Sequence, residues 1–191
     1  MKILRADKLS DTEWLNLFQV TYRLLVGDLR SWIIASRQQT PRCVTGRFET
    51  PDAVIIAAFH RQRGELVVTR EYRVPLDGYE IGFPAGLVDS GETVLDAARR
   101  ELREETGLDV TRFLSASPPL YSSAGMTDES ITLVTVECEG EPSNKALEAS
   151  EVIEVLFVSP AEAGRLCADS SLKFDAKAWL VLSGFAATGK V

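Results

Sequence analysis

Three glutamates near the end of one predicted helix are the residues of this chain best suited to do chemistry. Glu101, Glu104 and Glu105 fall three and four positions apart, so at about 100° per residue they share one side of the helix with Val94 and Ala97. Carboxylates on an apolar side repel one another and need partners. Divalent cations would supply those partners, since Mg²⁺ takes a few carboxylates and keeps water or phosphate oxygens as its other ligands.

A solvated helix with a ladder of Glu and Arg residues is the plainer interpretation of this segment. It does not explain the glycine-rich turn that precedes the helix, or why the glutamates fall on the apolar side. The helix is expected to end at Gly107, where the negative end of the helix dipole disfavours anions. We therefore favour a cation site, and we expect Arg100 and Arg103 on the solvent side, away from the glutamates.

The spacing of fixed residues around this helix is more specific than the glutamates alone. The motif runs Gly86, five residues, Glu92, seven residues, Arg100-Glu101-Leu102, one residue, Glu104-Glu105, one residue, Gly107-Leu108. It matches the Nudix box at every defined position, and the chain therefore resembles a Nudix hydrolase. The resemblance implies metal-dependent hydrolysis of a nucleoside diphosphate linked to another group.

The resemblance also implies roles for residues of the box. The implied ligands of Mg²⁺, or alternatively Mn²⁺, are one backbone carbonyl and three carboxylates: those of Ala85, Glu101, Glu104 and Glu105. Within the box the implied catalytic residues are Glu104, Glu105 and Arg100. Arg100 and Glu92 resemble the pair that braces the loop against the helix, and Gly86 and Gly107 are structural.

A further catalytic glutamate is implied in the polar segment that follows residue 138. In the family a glutamate from this loop closes over the site, as an extra metal contact or as a general base. Glu151, in the sequence EVIEV, is the better match, and Glu148 is the alternative. For either residue, a solvated loop acid is the plain interpretation.

Substrate contacts are implied by a closer resemblance to the ADP-ribose pyrophosphatase branch of the family. In that branch an aromatic residue and an arginine from N-terminal strands hold the adenine and the phosphates, and Trp32 and Arg37 match their spacing. An indole can stack on a purine, and a guanidinium can form two hydrogen bonds with a phosphate. The alternative is that both residues only pack against the rest of the protein. Arg73 matches a phosphate-binding arginine, with Arg70 as the alternative, and Met126 lies in the matching substrate loop.

Two positions depart from the pattern of the branch. The branch has a glutamate two residues before the proline of the box entry, where this chain has Gly82. Glu80 lies two positions earlier, on the same face if the segment is a strand. Either Glu80 substitutes for that glutamate or the contact is missing. The proline associated with ADP-ribose preference is Ala124 in the segment SSAGMTDE. These departures bear on the substrate and leave the metal site unchanged.

The elements that must carry these residues form a mixed β-sheet between helices, as in the α/β/α sandwich of the Nudix fold. Apolar runs predict core strands at 53–59, 66–72, 131–138 and 152–158. Capping residues predict helices that begin after Ser159 and after Asp175.

An N-terminal β-hairpin is predicted at 14–25 and 31–36, with a turn at Gly27. The resemblance implies that this extension, residues 1–48, helps to form a homodimer and contacts the substrate. Residues 49–191 then form the hydrolase domain.

Composition limits the other possibilities. The chain has 191 residues and a formal charge of −7, which argues against a non-specific nucleic-acid surface. No apolar run reaches membrane-spanning length, and the start lacks the apolar core of a signal peptide. Three separated cysteines indicate a reduced, cytoplasmic protein, and a single histidine disfavours zinc and Ser-His chemistry.

The sequence therefore predicts hydrolysis of a nucleoside diphosphate sugar, with ADP-ribose converted to AMP and ribose 5-phosphate. The alternatives are another substrate, such as GDP-mannose, a dinucleoside polyphosphate or a damaged nucleotide, and a non-catalytic module that binds a nucleotide sugar. The intact set of box glutamates argues against the second alternative, since a pure binder need not retain all of them.

Overall fold

The chain forms two compact units in a computed structural model that describes residues 1–147 and 152–191. The first unit comprises residues 1–52 and 118–132, and the second comprises the described residues of 53–117 and 133–191. The first unit thus combines the predicted N-terminal extension with a segment from the middle of the chain.

A three-stranded antiparallel sheet forms most of the first unit. Its strands, in spatial order, are β1 Lys2–Lys8, β2 Asn16–Arg23 and β3 Leu29–Ser36. β2 and β3 are the predicted hairpin, and Gly27 in the turn adopts a φ of 99°, which glycine reaches without strain. β1 adds a strand to that hairpin. A short helix, α1 Arg42–Thr45, follows.

The second unit is built on a mixed sheet. Its strands are β4 Ala53–His60, β5 Glu65–Arg73, β6 Gly78–Gly82, β7 Ala85–Leu87, β8 Asp109–Ala116, β10 Ser130–Glu139, β11 Ile153–Val158 and β12 Lys173–Phe174. The order is β12-β6-β5-β4-β10-β8, β11 adds to β5 and β7 to β4. The β12–β6 pair is parallel, whereas β11–β5, β4–β5, β4–β7, β5–β6 and β8–β10 are antiparallel. In the first unit, β9 Leu120–Tyr121 pairs with the start of β10.

Three longer helices cover this sheet: α2 Val94–Thr106, α3 Pro160–Ala168 and α4 Ala176–Thr188. Alternate residues of a strand point to opposite faces. On β4, Val54 and Ile56 share a buried cluster with Leu102 of α2, whereas the ring of Phe59 meets that of Phe185 on α4. Helices therefore lie on both faces, and the predicted mixed sheet between helices is confirmed.

The structure contains no candidate membrane span within its described ranges, because no helix there is both long and apolar enough.

Candidate active site

Helix α2 places the three glutamates of the box. Thr93 caps its start by accepting a hydrogen bond from the backbone N–H of Asp96, and Gly107 ends it with a φ of 76°. Between these caps Ala97, Ala98 and Leu102 are buried against the sheet. Because burial fixes the rotation of the helix, the side that carries the glutamates faces the protein.

The three carboxylates line one cavity of about 380 Å³ in the second unit. Glu105 is buried, while the side chain of Glu101 is 13% exposed and that of Glu104 is 46% exposed. The other residues around this carboxylate cavity are Ala85, Gly86, Leu87, Arg100 and Ala146. The structure thus brings all four predicted metal-ligating residues to one place.

The strand before the box approaches these carboxylates closely. A Cβ on Gly86 would lie 1.9 Å from Oε1 of Glu101 and 2.0 Å from its carboxyl carbon, so the Glu101 carboxylate occupies the space of the missing side chain. The backbone N–H of Ala85 donates to Oε2 of Glu105 at 3.2 Å. Two of the three glutamates are therefore held against β7.

Arg100 lies inside the carboxylate cavity, which corrects the expectation that it faces solvent. Its Nε and Nη2 donate to the two oxygens of Glu92 at 3.0 and 2.9 Å, and Nη2 also donates to the carbonyl of Leu87 at 2.9 Å. A helical wheel places only the Cβ, whereas the long arginine side chain curls back toward the glutamates. The predicted brace between Arg100 and Glu92 is present.

The remaining nitrogen of Arg100 joins two glutamates. Nη1 donates to Glu101 at 2.7 Å and to Glu104 at 3.1 Å. The hydrogen bond from Arg100 holds the pKa of the Glu92 carboxyl below its usual value, against the opposing effect of burial, and the same bond raises the pKa of Arg100. One guanidinium therefore relieves part of the repulsion that the sequence predicted.

The donor set of this cavity fits a hard divalent cation. No ready-made cluster of three or more His, Cys, Asp or Glu side chains occurs in the part of the chain that the structure describes. Three carboxylates and the Ala85 backbone nevertheless border the same space, and oxygen donors of this kind suit Mg²⁺.

Trp32 lines a second, larger cavity, which lies in the first unit and measures about 810 Å³. Its indole Nε1 donates to the carbonyl of Gly125 at 2.9 Å, which fixes the ring. The walls of this aromatic cavity include Tyr22, Trp32, Phe48, Tyr121 and Ala124. Met126 is exposed and is not among the lining residues, so the predicted substrate loop reaches the cavity through Ala124.

The predicted phosphate-binding arginines carry carboxylate partners. Arg37 pairs with Glu129 in the first unit. In the second unit Arg73 pairs with Glu71 at 2.8 Å and with Glu80 at 3.5 Å. Arg70 is turned to other partners, Glu154 and the ring of Tyr79.

Sequence reasoning missed a buried ion pair between Arg42 and Asp52. Both side chains are 5% exposed, and Nη2 of Arg42 lies 2.8 Å from Oδ1 of Asp52. Oδ2 of Asp52 accepts from the backbone N–H of Ser130, and Asp128 accepts from that of Arg42. No local spacing marks this network, because its members come from distant segments. Glu148 and Glu151, the predicted loop glutamates, lie outside the described residues.

The three glutamates lie on a helix, next to a glycine of the preceding strand, and the sheet lies between helices. This arrangement is that of a phosphoanhydride hydrolase with the Nudix fold. Residues 49–180 match the model of the NUDIX domain. The chain belongs to this family.

Curated relatives and a solved structure agree with this assignment. The chain is 35% identical over 153 residues to putative nudix hydrolase 2 of Caenorhabditis elegans, covering 76% of this chain and 66% of that protein. It is 34% identical over 165 residues to the ADP-ribose pyrophosphatase of Saccharomyces cerevisiae, covering 82% and 70%. The chain thus spans about two thirds of the length of these relatives.

A crystal structure of an ADP compounds hydrolase superposes with a TM-score of 0.71 at 24% identity, covering 100% of this chain and 98% of that one. At this identity the superposition establishes the fold alone.

Proposed function

We propose that this Nudix enzyme hydrolyses the pyrophosphate bond of a nucleoside diphosphate sugar, with ADP-ribose as the leading substrate and AMP and ribose 5-phosphate as products. The observation that carries the proposal is the convergence of Glu101, Glu104 and Glu105 on one cavity beside Gly86. The name of the yeast relative supports the choice of ADP-ribose.

Divalent cations belong to this proposal, with Mg²⁺ first and Mn²⁺ as the alternative. The residues that would hold them are Ala85, through its backbone carbonyl, and the three box glutamates. A bound cation would neutralise diphosphate charge and make a bound water more acidic.

The protein's own groups prepare this cavity. The amide of Ala85 orients Glu105, and Arg100 holds Glu101 and Glu104 from one side while Glu92 anchors Arg100. Preorganised charges of this kind need no rearrangement during the reaction. Glu151 remains the predicted residue that orients or deprotonates the attacking water, with Glu148 as its alternative.

Substrate contacts are proposed for each unit by itself. The aromatic cavity suits a flat purine, because its walls are mostly apolar rings and aliphatic side chains, and Trp32 is held by Gly125. Arg37 in the first unit and Arg73 in the second, whose side chains are 33% and 46% exposed, are each proposed to bind oxygens of the diphosphate. Met126 stays a predicted contact at the exposed edge of its loop.

We also propose a homodimer that works in the cytoplasm. The first unit exposes many large apolar side chains, among them Leu17, Leu29 and Ile33 on one face of its sheet, and apolar faces of this kind mark association surfaces. Light scattering of the purified chain measures the mass directly, and a monomer at micromolar concentration would refute the dimer.

The test of the catalytic proposal is a pair of conservative variants. Glu101→Gln and Glu105→Gln keep the shape of the side chain and remove its charge, so we expect kcat for ADP-ribose to fall about 10²–10³-fold at saturating Mg²⁺. Glu137→Gln, on the distant pair of Arg112 and Glu137, is the control and should keep wild-type kcat. Folded glutamine variants with wild-type turnover would refute the assignment.

A second substrate class is favoured by the open backbone at Gly82 and by Ala124 in the aromatic cavity. A Cβ on Gly82 would meet only Thr69 Oγ1 within 4 Å, at 3.6 Å, so no neighbouring side chain takes the place of the missing glutamate. Measuring kcat/KM for ADP-ribose, GDP-mannose and a dinucleoside polyphosphate, each with Mg²⁺ and with Mn²⁺ and with the products identified, decides between the two substrate classes.

A further inference from the structure

Glu71 and Glu80 form an unusual pair on neighbouring strands of the second unit. They lie directly opposite each other in the antiparallel register of β5 and β6. Their side chains are only 18% and 20% exposed. Like charges opposite each other destabilise a sheet, so this arrangement calls for a cation between the two carboxylates.

Arg73 is that cation. Its Nη1 lies 2.8 Å from Oε1 of Glu71, and its Nε lies 3.5 Å from Oε2 of Glu80. The arginine side chain is 46% exposed, more than twice the exposure of either glutamate. The carboxylates therefore hold the guanidinium from its buried side and leave its outer edge open to solvent.

Glu71, Arg73 and Glu80 border a small cavity of about 40 Å³, together with Asp175 at the start of α4. Gly82 and Ala85 are also in its wall, and Ala85 borders the carboxylate cavity as well. The two cavities thus share a residue within the second unit, which places Arg73 beside the strand that leads into the box.

We propose that Glu71 and Glu80 are positioning residues, which hold Arg73 in the conformation that binds the diphosphate of the substrate. This inference rests on the proposed function. An arginine side chain loses conformational entropy when it is fixed, and two carboxylates that fix it beforehand remove part of that loss from substrate binding. Glu80 thereby serves the site through Arg73 and does not replace the glutamate that Gly82 lacks.

A competing role for the two carboxylates predicts the opposite change in substrate binding. If the carboxylates merely occupied Arg73 and competed with phosphate, removing one of them would free the guanidinium and tighten binding. A positioning role predicts weaker binding from the same substitution, so the direction of the change separates the two ideas.

The experiment measures Glu71→Gln and Glu80→Gln with ADP-ribose and Mg²⁺. We expect KM to rise about fivefold to tenfold, with kcat within twofold of wild type. The unfolding midpoint should stay unchanged or rise, because the repulsion between the opposed carboxylates is relieved. Glu137→Gln is the matched control, since Glu137 is also a mostly buried carboxylate beneath an exposed arginine on a neighbouring strand. Its KM should not change.

A binding measurement separates this inference from the proposed function. Calorimetry with α,β-methylene-ADP, in which a CH2 group replaces the bridging oxygen of the diphosphate and prevents hydrolysis, should show a fivefold to tenfold higher Kd for both glutamine variants. If the wild-type chain binds this probe but does not cleave ADP-ribose, the proposed function fails and the positioning role stands. An unchanged or lower Kd in the variants, or no binding by wild type, overturns the inference.

A double-mutant cycle tests the route through Arg73. Arg73→Lys keeps the positive charge but loses the planar guanidinium that can form two parallel hydrogen bonds. The double variant Arg73→Lys with Glu71→Gln should bind the probe no more weakly than Arg73→Lys alone. A loss in the double variant equal to the sum of the two single losses would show that Glu71 acts independently of Arg73, which overturns the inference.

Discussion

The carboxylate cavity and the aromatic cavity are built in different ways. The first draws most of its lining from one continuous stretch, residues 85–105, and its charges are held by hydrogen bonds and by the absence of a side chain at Gly86. The second draws on four strands of the first unit (β1, β2, β3 and β9), on α1 and on the loops around Phe48 and Ala124, and its lining is mainly apolar. Charges require placement to a fraction of an ångström, whereas apolar walls tolerate small shifts. Single changes should therefore damage catalysis in the first cavity and affinity in the second.

The largest effect on catalysis is expected from Gly86→Ala in the carboxylate cavity. The new methyl group must displace the Glu101 carboxylate, which lies 1.9 Å from its position. Because a carboxylate is the far end of a flexible side chain, the free energy of unfolding should fall by less than about 1 kcal/mol. The kcat for ADP-ribose should nevertheless fall on the order of 10²-fold, as when a catalytic charge is misplaced. Steady-state kinetics and denaturant titration of the same sample measure both effects.

Gly184→Ala is the control for this change, since a Cβ there meets nothing within 4 Å and the position lies inside α4. It should keep kcat and gain about 0.5–1 kcal/mol of stability. Wild-type turnover in Gly86→Ala would contradict the close packing of Glu101 on β7.

A smaller effect on the carboxylate cavity is expected from Glu92→Gln. The bidentate bond to Arg100 is lost, and the free energy of unfolding at pH 7 should fall by about 2 kcal/mol. The folded pKa of Glu92 is lowered from its ordinary 4.5, so its contribution is present above pH 4.5 and is lost as the pH falls through the folded pKa. Denaturant titrations of wild type and variant should therefore converge in acid. A difference that stays constant with pH would contradict the ion pair.

The smallest effect is expected in the aromatic cavity, from Trp32→Ala. Loss of a stacking surface should raise KM for ADP-ribose about tenfold, since a stacked base contributes on the order of 1–3 kcal/mol, and kcat should stay within twofold. Trp14→Ala, at an exposed position of the same unit, is the control and should change neither constant. A fall in kcat with unchanged KM would remove the aromatic cavity from substrate binding.

The second unit could be predicted from the sequence because its signals are local. The predicted caps Ser159 and Asp175 begin helices in the structure, and each predicted core strand is present within one or two residues. The fixed spacing of the box identified the family, which the comparisons confirm. The metal ligands, the dimer and the loop glutamate remain predictions.

What the sequence did not reveal depends on long side chains and distant partners. β1 was missed because KILRADK lacks a period-two apolar pattern, and most of its residues are exposed. The position of Arg100 was wrong because periodicity locates a Cβ and not a guanidinium. Arg42 and Asp52 meet through segments that only the fold brings together.

The fit of the Glu101 carboxylate into the space beside Gly86 has a consequence for how this protein can change over evolutionary time. Positions 86 and 101 are coupled in an active enzyme, because a side chain at the first moves the carboxylate at the second out of its place. A lineage that abandoned catalysis would be free to refill that space, so paired replacement at these two positions should mark descendants that have kept the scaffold and lost the reaction.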